Sequence, residues 1–283
     1  MINLEDGQDM YLTDFIYDGV KLSSLGYLVG SAVTSNNESA SAGSKLELST
    51  VYNRGNYITN IVDATYKEQI TATFDIVKYA CNNTADNIVE DREISYIMRW
   101  LNKPQYCKFK PLYDDASFPD VFFMGTFTEI NTIQKGGNVV GFTLTFTSNA
   151  PYGYADYDDI SFSLEKNIPF IYYDESDADG IHYPESMIIE ISGNDDFQLY
   201  NDLTKKKTII NNCIGDTITF DCIHKTVLSN KSSQHTTFFK DFNYVFPGFI
   251  SSYITGEPNI LTSTMNCDVT LIYKPIRKVG IVV

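Results

Sequence analysis

The sequence has few histidines and no closely spaced cysteines, and both features argue against metal sites and thiol redox motifs. Its 283 residues contain three histidines and five cysteines. No histidine has a second histidine four residues later, and no two cysteines form a Cys-x-x-Cys pair. Zinc sites and thiol redox motifs depend on such local spacing for their geometry. The sequence therefore predicts no metal site, and it favours free buried thiols over a bridge between Cys213 and Cys222.

Motifs for catalysis and nucleotide binding are also absent. No Gly-x-Ser-x-Gly segment predicts a nucleophile elbow, and no glycine-rich loop precedes a Lys-Ser or Lys-Thr pair. Carboxylate pairs such as Asp114-Asp115 and Asp158-Asp159 would suit glycoside hydrolysis only if they faced each other across a cleft. With 36 acidic residues, such pairs arise by chance. We predict that the protein is not an enzyme and binds no cofactor.

The segment Asp174–Gly180 is the sharpest candidate for a cation site. Its carboxylates alternate as they do at the start of a calcium-binding loop that begins at Glu175. The first position of this loop is Glu rather than Asp, and the twelfth, Ser186, has no carboxylate. We therefore interpret the segment as a solvated acidic turn.

Positive charge and long apolar runs are scarce as well. The chain has 21 Lys and Arg against 36 Asp and Glu, a formal net charge of −15, which repels phosphate backbones and anionic membrane surfaces. Basic residues cluster at residues 205–207 and 274–278, which we interpret as a solvated turn and a charged strand end. No apolar run approaches the roughly 18 residues of a membrane span, and the first residues show no secretory signal pattern. We expect no stable nucleic-acid binding and no membrane insertion.

Strand patterns dominate what the sequence does contain. Aromatic residues make up 14% of the chain, and Tyr and Phe suit half-buried strands. Residues 140–147 alternate most clearly, with apolar side chains on one face and mostly threonines on the other. The same pattern recurs at residues 72–76, 187–191, 218–222 and 269–273. Many short strands separated by Gly, Asn and Pro turns predict sandwiches or barrels.

One amphipathic helix is predicted at residues 90–101. Carboxylates fill its first turn, where they suit the positive end of the helix dipole, and Pro104 ends it. The residues that share its apolar face at helical spacing are Ile94, Ile97, Met98 and Leu101.

An extended arm is predicted near the start of the chain. Residues 31–45 are small and polar without periodicity, as is typical of a loop, and the flanks at 22–29 and 46–52 have strand character. We expect a hairpin with a flexible tip that completes the surface of a neighbouring subunit. Its candidate interface residues are Val33, Leu46, Leu48, Val51 and Tyr52.

A domain boundary is predicted near residues 154–160. A strong strand pattern ends in the Pro- and Gly-containing segment 150–154, and a new pattern begins at Ile160. The resulting domains, residues 1–155 and 156–283, both have ordinary domain sizes.

The order and spacing of several segments resemble the distal tail (Dit) proteins of tailed bacteriophages and phage-tail-like particles. The segments that resemble the N-terminal domain of that family are 14–20, 25–29, 97–101, 106–112, 122–127 and 141–154. The segments similar to its C-terminal domain are 189–193, 215–221 and 246–260. The His, Asn-Pro-Arg and Trp pattern with which galectins contact sugars is absent, so sugar binding is not carried over.

The resemblance implies a mainly β fold and a structural role. It implies an N-terminal β-sandwich-like domain with one α-helix and a hairpin arm, followed by a C-terminal galectin-like β-sandwich. It further implies a homohexameric ring in the tail tip or baseplate that joins the tail tube to the receptor-binding apparatus and lets DNA pass. The implied partners are the tail tube protein, the tape-measure protein and a tail-lysin or receptor-binding protein, with assembly in the host bacterial cytoplasm.

Two alternatives stay open beside this hub function. The first is a carbohydrate-binding module of a phage adsorption apparatus, with its glycan affinity in residues 156–283. The aromatic segment 236–246 would be its stacking face, although a core strand that leads into Pro247 is the simpler interpretation, and this half has no Trp. The second is a carboxylate hydrolase built on a β-sandwich, for which the sequence nominates no particular acidic pair.

Overall fold

A computed structural model describes most of the chain. The described residues are 12–30, 45–53, 55, 58–66, 68–79, 87–114, 120–156, 159–231 and 238–281. They divide into two compact units, one with the residues up to Tyr154 and from Lys278 onward, the other with Ala155–Arg277. The end of the chain thus groups with the first unit, whereas the sequence assigned it to the second.

The first unit is built on an antiparallel sheet, a hairpin and a helix. Its strands are β1 (Leu12–Tyr17), β2 (Val20–Lys21), β3 (Tyr27–Val29), β4 (Leu46–Asn53), β5 (Ile58–Tyr66), β6 (Thr71–Lys78), β7 (Cys107–Tyr113), β8 (Val121–Lys135) and β9 (Asn138–Ser148), and β10 (Gly153–Ala155) lies at the boundary. A 3-10 helix, Leu22–Leu25, follows β2, and α1 (Asp91–Leu101) precedes β7. The main sheet has the strand order β2-β1-β7-β8-β9-β6-β3.

Helix α1 packs its apolar face on this sheet, as the sequence predicts. Glu90 and Glu93 form a capping box in which each side chain accepts a hydrogen bond from the other residue's backbone N–H. Trp100 is buried, and its Nε1 donates a hydrogen bond to the Tyr17 carbonyl oxygen at 3.0 Å. Its ring also stacks on Phe15 with a centroid distance of 5.8 Å. These contacts attach the helix to β1.

The second unit contains two larger sheets that share one apolar core, and a two-stranded sheet. Its strands are β11 (Ile160–Leu164), β12 (Phe170–Tyr172), β13 (Ile181–His182), β14 (Ser186–Ser192), β15 (Asn194–Asn201), β16 (Lys206–Ile214), β17 (Thr217–Asp221), β18 (Thr226–Ser229), β19 (Phe249–Ile250), β20 (Asn259–Ser263), β21 (Asn266–Ile272) and β22 (Ile276–Arg277). One larger sheet has the order β11-β21-β14-β17-β18, the other has the order β12-β20-β15-β16, and β13 and β19 form the two-stranded sheet. Ile189 and Phe220 from the first sheet meet Phe197 and Leu261 from the second in one buried cluster. The unit is therefore a sandwich.

The strand predictions and the mainly β fold class are confirmed, with one local correction. The five alternating segments form β6, β9, β14, β17 and β21. The aromatic segment predicted as a core strand instead contains a short helix, α2 (Phe238–Asp241), and a second one, α3 (Ser252–Thr255), follows β19. Phe242 packs into the core while Tyr244 is exposed, so the segment does not alternate as a strand would. No helix among the described residues is long and apolar enough to cross a membrane.

The cysteines behave as the sequence predicts wherever the structure describes them. Cys107, Cys213, Cys222 and Cys267 are free and buried, so no bridge joins Cys213 to Cys222. Burial raises the pKa of the Cys213 thiol to about 12 and that of Cys222 to about 11. Cys81 lies outside the described residues.

Candidate functional site

Strands β4 and β5 form a hairpin that differs from the predicted arm. The sequence predicted pairing between residues 22–29 and 46–52, but β3 pairs with β6 in the main sheet, and β4 pairs with β5. The reason is burial, since Leu22 and Tyr27 belong to the core of the first unit and are not available to an arm. Residues 31–44 lie outside the described part of the chain.

The register of the hairpin separates its side chains into two unlike faces. Leu46 lies opposite Tyr66, Leu48 opposite Ala64 and Thr50 opposite Ile61, with a bulge between Ser49 and Thr50. Residues directly opposite each other share a face, and alternate residues of one strand do too. The resulting apolar hairpin face consists of Leu46, Leu48, Tyr52, Ile61, Ala64 and Tyr66, with Thr50 and Thr59 among them. The other face carries Glu47, Ser49, Asn60, Asp63 and Thr65 together with the apolar Val51 and Ile58.

The apolar hairpin face is open to solvent in the single chain. Leu48 is 45% exposed and Ile61 is 62% exposed, and no described residue of either strand belongs to a buried core cluster. A two-stranded hairpin has marginal stability in water, and clustered exposed apolar side chains mark interaction sites. This surface is therefore suited to burial against another protein surface.

The predicted interface residues fall on both faces of this hairpin. Leu46, Leu48 and Tyr52 lie together on the apolar hairpin face, whereas Val51 points to the other face because it alternates with them. Val33 lies outside the described residues. Ile61 and its whole strand β5 were not predicted, although the many β-branched residues at 58–65 indicate a strand.

The acidic segment 174–180 of the second unit is solvated at Glu175 and Asp179, as predicted, but Asp174 is a buried anchor. Asp174 and Ser176 are fully buried, and Asp174 Oδ1 accepts a hydrogen bond from the Ser176 backbone N–H at 3.0 Å. Ser252 Oγ accepts from the Asp174 backbone N–H at 3.1 Å. Burial and the charge of Asp174 both raise the pKa of Tyr273. The sequence could not show this burial, because acidic runs are usually solvated.

The remaining acidic and histidine side chains do not converge on a chemical site within the described residues. His224 Nδ1 lies 2.7 Å from Asp221 Oδ2 on the surface. No group of three or more His, Cys, Asp or Glu side chains in the described part of the chain is placed to hold a metal ion. Asp115, Asp158 and His235 lie outside that part, so the acidic pairs that include two of them stay untested.

Two family models match nearly the whole chain. One, described as a phage tail protein N-terminal domain, matches residues 10–150, and the other, described as a phage tail C-terminal domain, matches residues 152–273. The chain therefore belongs to this family of phage tail proteins. No curated protein sequence matches it.

Within that class, the fold is that of a distal tail protein, as the resemblance predicted. The crystal structure of SPP1 Dit (gp 19.1), described as a paradigm of hub adsorption apparatus in Gram-positive infecting phages, aligns with a TM-score of 0.63 at 12% identity. The alignment covers 92% of this chain and 98% of that chain. The phage P2 baseplate in its activated conformation with Ca also aligns, with a TM-score of 0.46, 8% identity, and coverage of 95% of this chain and 99% of that chain.

Proposed function

We propose that this chain is the structural distal tail protein of a tailed phage or phage-tail-like particle and forms a homohexameric ring at the tail tip. In this role it joins the tail tube to the receptor-binding apparatus and leaves a channel for DNA. Membership of a phage tail family and the fold of a distal tail protein support the proposal. The role is architectural, and it includes no catalytic step.

The main observation that supports a ring is the exposed apolar hairpin face. We assign its occupant as a second copy of the chain, because the same uncovered surface recurs on every copy and a repeated head-to-tail contact forms a ring when its rotation closes. Apolar contact is the suitable driving force, since copies that each carry a net charge of −15 repel one another. The polar face of the hairpin would then stay in solvent.

The acidic composition suits the proposed channel and location. A polyanion that passes through a ring of acidic subunits is repelled by them and does not bind. The proposed partners are the tail tube protein and the tape-measure protein on one side, and a tail-lysin or receptor-binding protein on the other. The proposed location is the tail tip or baseplate of the virion, after assembly in the host bacterial cytoplasm.

The ring is tested by the mass of the purified protein, measured by light scattering with negative-stain images of the same fractions. We expect six copies and an open centre for the wild type. Leu48→Lys places a charge on the apolar hairpin face and should yield monomers. Ser49→Lys adds the same charge to the other face of the same strand and should keep the ring.

Two outcomes would contradict the proposal. A wild-type protein that stays monomeric at high concentration has no self-assembling ring interface. Equal masses for Leu48→Lys and Ser49→Lys would show that the apolar hairpin face is not the contact.

A further inference from the structure

A cavity in the second unit gathers positive charge on an otherwise acidic protein. It has a volume of about 620 Å³ and lies where the β15–β16 turn, the β17–β18 turn and the segment after α2 meet. Four of the chain's 21 Lys and Arg residues line it: Lys205, Lys206, Lys207 and Lys225. The sequence predicted only a solvated turn for the first three, because Lys225 is distant in the chain. We call this cavity the lysine cleft.

Aromatic rings hold two of these ammonium groups in place. Lys225 Nζ lies 3.8 Å from the centroid of the Tyr183 ring and 5.0 Å from that of Phe246. Lys206 Nζ donates a hydrogen bond to the Tyr183 hydroxyl at 2.9 Å. Rings stabilise a cation without neutralising it, unlike a carboxylate. The charges of these two lysines therefore stay available to an anion.

Most of the positive charge in the lysine cleft is not neutralised by a carboxylate of the described residues. Lys205 forms a salt bridge with Asp202 at 2.8 Å. Lys206, Lys207 and Lys225 form none with a carboxylate that the structure describes. On a chain with a net charge of −15, three such lysines in one concavity are a local exception to the general surface charge.

Left-handed backbone conformations concentrate around the same cavity. Lys205, Lys225 and Tyr244 have φ of 56°, 55° and 60° and all line the lysine cleft. Such φ values are uncommon outside Gly, Asn and Asp, because Cβ approaches the backbone. Strained residues of this kind cluster at ligand sites, where the side chain is needed despite the cost. Turns built for stability alone would carry Gly or Asn at these positions.

We propose that the lysine cleft binds anionic carbohydrate, meaning a sugar or polyol polymer that carries phosphate or carboxylate groups. Lysine ammonium groups supply point charges for those anions. Tyr244 is 64% exposed and offers an open ring face and a hydroxyl to the neutral part of the polymer. This activity goes beyond the proposed ring, which does not depend on it.

Nucleic acid fits the same surface less well. Single strands bind where a basic groove follows the backbone and several rings stack successive bases. Here Lys225 covers the Tyr183 ring, so Tyr244 is the exposed platform among the described residues that line the cavity.

The test is calorimetric titration of the full chain with four polymers. Poly(glycerol phosphate) and polygalacturonate carry phosphate and carboxylate groups respectively, dextran is neutral, and a dT oligonucleotide represents nucleic acid. We expect at least one anionic carbohydrate to bind at least tenfold more tightly than dextran and dT, and to weaken as salt is added. The affinities for poly(glycerol phosphate) and for polygalacturonate show whether phosphate or carboxylate is preferred.

Lys225→Asn separates a ligand-binding lysine from a structural one. Asn accepts the left-handed conformation more readily, which offsets the loss of the ring contacts, so the unfolding midpoint should stay close to that of the wild type while affinity for the anionic carbohydrate falls at least tenfold. Lys166→Asn removes the same charge from an exposed site elsewhere in the second unit and should leave affinity unchanged.

Three outcomes would overturn the proposal. They are no binding of either anionic carbohydrate, tighter binding of dT than of both, and equal loss of affinity in Lys225→Asn and Lys166→Asn. The oligomeric mass measured in the same samples reports on the ring independently, so failure of one proposal is distinguishable from failure of the other.

Discussion

Oδ1 of Asp174 lies 3.1 Å from Nε2 of His182, and the Asp174 side chain is completely buried. The same carboxylate oxygen accepts a hydrogen bond from the Ser176 backbone N–H. One buried carboxylate thus joins β13 to the irregular segment that follows β12. A buried polar group of this kind stabilises a fold only while its partners are present.

Asp174→Ala should destabilise the second unit by about 2–4 kcal/mol, because it leaves buried donors without an acceptor. Urea unfolding followed by far-UV circular dichroism measures the change. Glu165→Ala removes an exposed carboxylate from the same unit and should stay within about 0.5 kcal/mol of wild type. Equal stability of the two variants would show that Asp174 is not an anchor.

Gly141→Ala should destabilise the first unit by at least about 2 kcal/mol. A Cβ at Gly141 would lie 2.2 Å from the Ile76 carbonyl oxygen in the neighbouring strand, and backbone atoms there cannot move without disturbing the β6–β9 ladder. Trp100 is the chain's single tryptophan and lies in this unit, so its fluorescence reports the unfolding. Gly30→Ala, whose Cβ would meet only Val77 at 3.9 Å, should unfold like wild type.

The ionised Glu93 side chain should stabilise the first unit at pH values above the pKa that Glu93 has in the unfolded chain. This stabilisation should be lost in acid. Burial raises the pKa of Glu93. Hydrogen bonds from Lys78 and from the Glu90 backbone N–H together lower this pKa by a larger amount, so the net shift is downward. The ionised form therefore stabilises the fold above about pH 4.3, and the contribution disappears as pH falls through the folded pKa.

Glu93→Gln removes the charge while Gln can still complete the capping box. We expect a loss of about 0.5–1 kcal/mol at pH 7, a small value because the ion pair is partly solvated. The difference from wild type should shrink toward zero near pH 3. A difference that is the same at both pH values would assign the effect to the hydrogen bond rather than to the charge.

The buried thiols should react with an aromatic disulfide reagent only after unfolding. Burial raises the pKa of Cys213 to about 12 and that of Cys267 to about 11, so native thiolate is scarce at pH 8. A Cys81→Ser background leaves the four described cysteines, of which none should react rapidly in buffer and all should react in denaturant. Rapid native reaction of any of them would contradict the burial.

These raised pKa values also predict a loss of stability in alkali. Unfolded thiols ionise near pH 8.5, whereas the raised pKa values keep the thiols of Cys213, Cys222 and Cys267 neutral well above it. The stability that the neutral thiols contribute is full below pH 8.5 and declines as pH rises beyond it. Urea midpoints at pH 7.5 and 9.5 measure the decline, and Cys213→Ala should reduce it.

Local hydrophobic patterns correctly predicted the strands and helices whose buried face is determined by residues close together in the sequence. Strand β9 and helix α1 have an unbroken period of two or of 3.6 residues, and each lies where that period places it. The hairpin was mispredicted because its pairing depends on competition between strands. β3 is drawn into the first core by Tyr27, and β4 then pairs with β5. Nothing in the composition of residues 22–52 reveals that competition.

By itself the sequence determined the mainly β class, the helix α1, the buried thiols and the resemblance to distal tail proteins. These follow from periodicity, residue chemistry and motif order, which are properties of the chain as written. Tertiary structure alone decided the burial of Asp174, the exposure of the apolar hairpin face and the meeting of Lys225 with residues 205–207. Each of these depends on contacts between residues far apart in the chain, and burial and local electrostatics arise only from such contacts.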